Sequence, residues 1–321
     1  MRQGEPLVTV IIPSFKMGQF IGEALESVGA QTYPHWEVIV VDDAGPEDGT
    51  RATVEAFAAK HPDHRVEYIR HETNQGVSVA RRMAFEASRG EYIAFLDADD
   101  AFLPEKLAKH LAVLGKNPDV VLVHGPVVEV GDWPRGEQGP ATWFRPSSQS
   151  MRYDARRYDL ASRNHICNST VVVRRAAIRA EDFAHRMYFQ FEDAFLWLGL
   201  ADRGDFCYED EALTAYRYHA GSFTASVMAG RGLVEFGRLE LILARFPYVE
   251  NWSQRVAAGV AILENLEVLM ASRSVRGADC RGRYGIKFQL ALLCAGSWRG
   301  LQKVLRFGAR AIKVMPAAGR K

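Results

Sequence analysis

Three carboxylates crowd into four positions at the end of an apolar run. In YIAFLDADDAF (92–102), Tyr92 to Leu96 lead straight into Asp97, Asp99 and Asp100. Apolar residues gain from burial, whereas like charges this close repel one another. A cation would resolve the conflict. Alternation along an extended chain turns Asp97 and Asp99 to one side and Asp100 to the other. Two carboxylates on one side suit Mg²⁺ or Mn²⁺, hard ions that take oxygen ligands and often share them with substrate phosphates. A D-x-D on its own is more often a turn or a helix cap, and Asp100, shortly before Pro104, fits that plainer part. A second acidic pair, Asp42–Asp43 at the end of WEVIVVDD, shifts the balance toward a site.

The elements that would carry these residues alternate regularly over the first 125 positions. Val8–Ile12, Trp36–Asp43, Val66–Ile69, the run before Asp97 and VVLVHG (120–125) read as buried strands. Between them, Phe20, Ile21, Ala24, Leu25 and Val28 mark one helix face, and Val54, Phe57 and Ala58 a second. A helix from about Val77 to Ser88 is expected to stop at Gly90, and another, begun by Pro104, carries Leu107, Leu111 and Leu114. Strands alternating with helices imply an α/β fold with a mostly parallel sheet flanked by helices. Ligands of such sheets bind beyond the carboxyl ends of the strands, where both acidic pairs fall.

Neither glycine-rich phosphate loop is present. The stretch after the first strand, PSFKMGQFIG, is not G-x-G-x-x-G, and no G-x-x-x-x-G-K-[ST] occurs. A metal and a cation are left to hold phosphates, and Arg81 in NQGVSVARRMAF is a candidate cation.

The series VTVIIPSFK, EVIVVDDAGPEDGT and NQGVSVARRMAFEASRGEYIAFLDADD resembles family 2 glycosyltransferases of the GT-A fold. These are inverting, metal-dependent enzymes that use nucleotide-diphosphate sugars. The likeness is specific over residues 7–125. It continues more weakly to about 225 through FQFEDAFLWLGLADRGDF and AYRYHAGSFTAS. The resemblance implies that Phe15 stacks on the base, Asp42 accepts a hydrogen bond from uracil, and Arg81 lies by the base or phosphates. It places Asp97 at the ribose and metal, Asp99 on the metal bridging the diphosphate, Asp193 as general base, and His219 near the metal or diphosphate. Lys16 and Arg82 stand where the family commonly has asparagine, and RAEDFAHRMYFQ replaces its usual GGFDE-like segment.

The chemistry agrees. Glycosyl transfer needs the leaving diphosphate neutralised and the acceptor hydroxyl deprotonated, and one carboxylate by the acceptor suffices for inversion. On pattern alone Asp193 serves equally as a helix-start acid before Leu196 and Leu200, and a lone histidine such as His219 is more often structural. A sugar nucleotidyltransferase would want an N-terminal glycine-rich phosphate loop. A catalytically silent nucleotide-sugar-binding protein would have lost Asp99 or Asp193.

With 321 residues and a formal charge of +1, the chain shows no global field for nucleic acid. Residues 281–321 hold ten Lys/Arg and no acid, leaving 30 basic and 39 acidic residues before them. The four cysteines make no CxxC pair, which fits reduced thiols in a cytoplasmic protein. The N-terminus reads as a strand, not a leader, and no 18-residue apolar run occurs. A GT-A domain is expected over 1–225, with a nucleotide-sugar half (1–104) and an acceptor half (105–225), followed by a helical region over 226–321. In its tail, Trp298, Leu301, Val304, Leu305, Ala311, Ile312 and Met315 face one way and Arg299, Lys303, Arg306, Arg310 and Lys313 another. Such a helix suits either an anionic membrane at the inner face of the cytoplasmic membrane or packing on the domain. Residues 251–272 suit a packing or homodimer helix. The implied partners are a UDP-sugar and a glycan or lipid-linked acceptor.

Overall fold

The computed structural model describes residues 5–132, 152–153, 164–183, 192–222 and 224–225. The region expected to be helical after 225 lies outside them, as do the tail and the 251–272 segment.

Continuous apolar runs form strands buried on both faces. β1 (Val8–Ser14) and β2 (Trp36–Asp42) are buried at every position. β3 (Val66–Arg70), β4 (Tyr92–Phe95), β6 (Val120–His124), β9 (Val172–Arg174), β10 (Asp205–Tyr208) and the short β8 (Arg152–Tyr153) complete an eight-stranded sheet in the order β3-β2-β1-β4-β9-β6-β10-β8. Its pairs are parallel except around β9, which runs antiparallel to both β4 and β6, and between β10 and β8. A smaller sheet pairs β11 (Thr214–Tyr218) with β5 (Ala101–Phe102) and β7 (Val128–Gly131).

Side-chain alternation divides the core in two. On one face Val10, Ile12, Val38 and Val40 meet α1 (Ile21–Gly29), α2 (Thr50–Lys60) and α4 (Lys106–Lys116) through Leu25, Phe57 and Leu107. On the other, Ile11, Ile39 and Phe95 meet α3 (Val77–Ala87) and α5 (Glu192–Ala201) through Ala84 and Trp197. Burying one large apolar side chain contributes about 1.5–3 kcal/mol, so these two layers dominate stability.

Two details differ from the sequence-based expectation. α3 ends at Ala87, before Gly90, and the glycine serves a different purpose. A Cβ there would stand 2.5 Å from the Thr9 nitrogen, so Gly90 permits close approach to β1. β4 also stops at Phe95, with the chain turning through Ala98 and Asp99. Strict alternation therefore does not govern the three aspartates, and Asp100 differs from the other two in being buried.

Candidate active site

The carboxyl ends of β1, β2 and β4 gather the acidic residues. Asp42 is buried at the end of β2. Its Oδ2 accepts from Tyr68 Oη (2.7 Å) and Arg70 Nη1 (2.6 Å), and its Oδ1 from Gly45 N (2.9 Å). Phe15, 38 % exposed, stands beside it, since a Cβ on Gly45 would lie 3.8 Å from Phe15 Cδ2 and 3.4 Å from Asp42 Oδ1. An exposed aromatic face next to a carboxylate that retains a lone pair can hold a planar base with an N–H donor. Lys16 takes a left-handed φ of 61° with its ammonium 4.9 Å from the Phe15 ring. Asp43 has a structural task. It binds His71 Nδ1 and the Gln75 and Gly76 amides, which shapes the loop before α3.

Each aspartate of the 97–100 turn has its own partners. Asp97 Oδ1 accepts from Arg81 Nη2 (2.8 Å) and Asn168 Nδ2 (3.0 Å), while its amide donates to Ser169 Oγ (3.0 Å). Asp99 Oδ2 lies 3.1 Å from His219 Nε2, and Arg217 Nε donates to the Asp99 carbonyl. Asp100 is buried, accepting from Ser169 Oγ and the Arg217 amide. Burial, together with the neighbouring aspartates, raises the pKa of Asp99, and of Asp100 much further, with His219 opposing at Asp99.

Arg81 is 4 % exposed, inside the site's wall. It spans the cluster: Nη2 holds Asp97, and Nη1 holds Glu192 Oε1 at 2.6 Å in the first turn of α5. Burial alone would lower its pKa, but Asp97 and Glu192 more than offset this and keep it charged. Next to Glu192, Asp193 accepts from Asn164 Nδ2 (3.1 Å) and from its own helix at Ala194 N. Burial and Glu192 push Asp193 up to about 7 against the opposing Arg81, a value suited to a base near neutral pH.

The Arg81 guanidinium thus joins Asp97 to Glu192, His219 faces Asp99, and Arg217 reaches the turn through its amide to Asp100 and its Nε to the Asp99 carbonyl. Among the described residues, no three His, Cys, Asp or Glu side chains are grouped to hold a metal unaided. Asp99 and His219 supply two donors, with Asp97 beside them. This fits an ion that completes its shell with a substrate's phosphate oxygens. Arg81 Nε and Asn168 Oδ1 are buried without partners in this network, so hydrogen-bonding capacity remains on both sides of Asp97.

All seven site residues expected from sequence lie within described segments. The structure joins Arg81 and Asp97 directly, pairs Asp99 with His219, sets Phe15 beside Asp42, and connects Asp193 to the cluster through Glu192. Sequence reasoning missed Asn164, Asn168, Ser169 and Arg217. The polar run NHICNST was the only signal for the first three, and nothing in it, or in Arg217, points to the aspartate turn far earlier in the chain.

Residues 9–180 match the family model Glycosyl transferase family 2. The chain belongs to this family. TuaG of Bacillus subtilis, a glycosyltransferase assigned to teichuronic acid biosynthesis, is 31% identical over 230 residues, covering 70% of this chain and 84% of TuaG. Staphylococcus aureus TarS, solved with UDP-GlcNAc, superposes with a TM-score of 0.61 at 19% identity, over 94% of this chain and 83% of that one. The mannosyltransferase PcManGT of Pyrobaculum calidifontis, in complex with GDP-Man and Mn²⁺, superposes at 0.54 with 18% identity, over 97% and 87%. These likenesses show the GT-A fold for this family 2 glycosyltransferase.

Proposed function

We propose that the protein is an inverting glycosyltransferase that moves a sugar from a UDP-sugar to a hydroxyl of a glycan or lipid-linked acceptor in bacterial cell-surface polysaccharide synthesis. The observation that carries this reading is the Asp97–Arg81–Glu192 chain. It places the donor-side carboxylates and the base-side helix in one network. Phe15 stacks on the base and Asp42 accepts its N–H. Asp99, with His219 and Asp97, would hold Mn²⁺ or Mg²⁺, which would supply charge neutralisation at the leaving diphosphate. PcManGT, solved in complex with GDP-Man and Mn²⁺, supports the metal, and TarS, crystallised with UDP-GlcNAc, supports the nucleotide. Asp193 takes the acceptor hydroxyl's proton as the oxygen attacks the anomeric carbon from the face opposite the diphosphate. TuaG supports the surface-polymer setting.

Calorimetric titration with UDP, with and without Mn²⁺, in wild type and Asp99→Asn, tests the assignment. Metal-enhanced affinity in wild type, lost in the variant, is expected. Equal affinities in all four titrations would overturn it. On this reading, residues 1–104 serve the donor and 105–225 the acceptor. The basic tail docks on anionic lipid, so the full chain should co-sediment with anionic liposomes at low salt and detach as salt rises. No helix among the described residues is long and apolar enough to cross a membrane.

A further inference from the structure

Lys106 is the first residue of α4 and is fully buried. Local physics opposes a cation there. The helix N-terminus carries partial positive charge, burial disfavours an ammonium, and no carboxylate pairs with it among the described residues. His110, one turn along, has neither ring nitrogen partnered and is held uncharged by burial; His124 on β6 is likewise pushed well below its usual value. Cys167, from the loop before β9, has its thiol pushed up by burial and stays protonated. A methionine would fill the same space at less cost. The ammonium makes two contacts: it donates to the Thr170 carbonyl at 2.6 Å, and it lies 4.9 Å from the Phe102 ring centre.

The carbonyl shows what the amine is for. Thr170 closes the one-turn 3₁₀ helix Asn168–Thr170, whose other two side chains hold the aspartate turn. Asn168 donates to the Asp97 carboxylate, and Ser169 Oγ accepts from the Asp97 amide and donates to the Asp100 carboxylate. The turn is too short to be rigid alone, and Lys106 ties it to α4. We propose that Lys106 is a positioning residue of the transfer site, clamping the Asn168–Thr170 turn so that Asn168 and Ser169 hold Asp97 and Asp100 in place. The proposal rests on the reading of Asp97–Asp99 as the nucleotide-sugar site. It accounts for a buried amine that packing alone would not select, because functional groups are often kept at a cost in stability.

The test compares wild type with Lys106→Met, Asn168→Ala and the double variant, at neutral pH with the full chain. Thermal unfolding, UDP–Mn²⁺ affinity and amide hydrogen exchange are measured for each. Lys106→Met should melt no lower than wild type. Its amides at 97–100 and 168–171 should nevertheless exchange faster, and UDP–Mn²⁺ should bind about tenfold more weakly, the upper end of the loss expected for one ordinary hydrogen bond. The double variant should lose less affinity than the two single losses combined, since both act in part through Asp97. Wild-type affinity and protection in Lys106→Met, or additive losses in the double variant, would overturn the proposal. A wild type that binds no UDP–Mn²⁺ would instead overturn the site assignment. The exchange measurement needs no nucleotide and still decides whether Lys106 holds the turn.

Discussion

As the proposed base, Asp193 would trade stability for reactivity. Burial and Glu192 push it up to about 7. A base works unprotonated, so transfer should climb with pH and level off above about 7, and Asp193→Asn should lose ~10²–10⁴ in kcat while binding UDP normally. A pH profile flat from 5 to 8 would remove the assignment. The same shift affects folding. Between the ordinary value of 3.8 and about 7, the folded state holds a proton that the unfolded state has released, so stability falls as pH rises through that window. Asp193→Asn, which keeps the neutral shape, should therefore melt higher than wild type at pH 8, the two converging near pH 4. Lys106 follows the mirrored rule. Burial lowers it from 10.5 to about 7, so the unfolded state binds the extra proton between those values and stability rises with pH across them. The advantage of Lys106→Met over wild type should accordingly be largest at pH 6 and vanish by about pH 11, as thermal melts at both would show.

At the scale of elements, Gly90 makes the sharpest forecast. Its missing Cβ leaves room for the Thr9 backbone, and its amide donates to Thr9 Oγ1 at 2.9 Å. Gly90→Ala must push β1 and the start of β4 apart and should cost about 1–3 kcal/mol, read as a lowered urea midpoint. An unchanged midpoint would show that the strands yield freely. Composition cannot tell a helix-stopping glycine from one needed for close approach, because both follow an apolar helix. The strands and helices themselves were legible, since buried parallel strands write continuous apolar runs and amphipathic helices write periodic ones. The acidic strand ends were legible for the same reason, as carboxylates have no place in a core unless something there answers them. The 3₁₀ turn and antiparallel β9 were not. Short and without periodicity, they gain their meaning from contacts far off in sequence.

Across the whole molecule, the two layers of core hold the strand ends in register, and Arg81 joins what they present. Arg81→Met would leave Asp97 and Glu192, both partly exposed, without their shared buried cation, so the cost should fall below the ~3–5 kcal/mol of breaking a fully buried ion pair. It should also remove the charge that restrains Asp193, moving the acid limb of the pH–rate profile upward. A limb that stays put would confine Arg81 to packing. On the proposed assignment, one guanidinium gripping both Asp97 and Glu192 would also make the donor and acceptor sites thermodynamically conjugate. If a bound donor shifts the guanidinium, it alters acceptor affinity by some factor, and the acceptor must then alter donor affinity by the same factor. The order in which substrates bind would then be written into a single side chain, and Arg81→Met should turn coupled equilibria into independent ones.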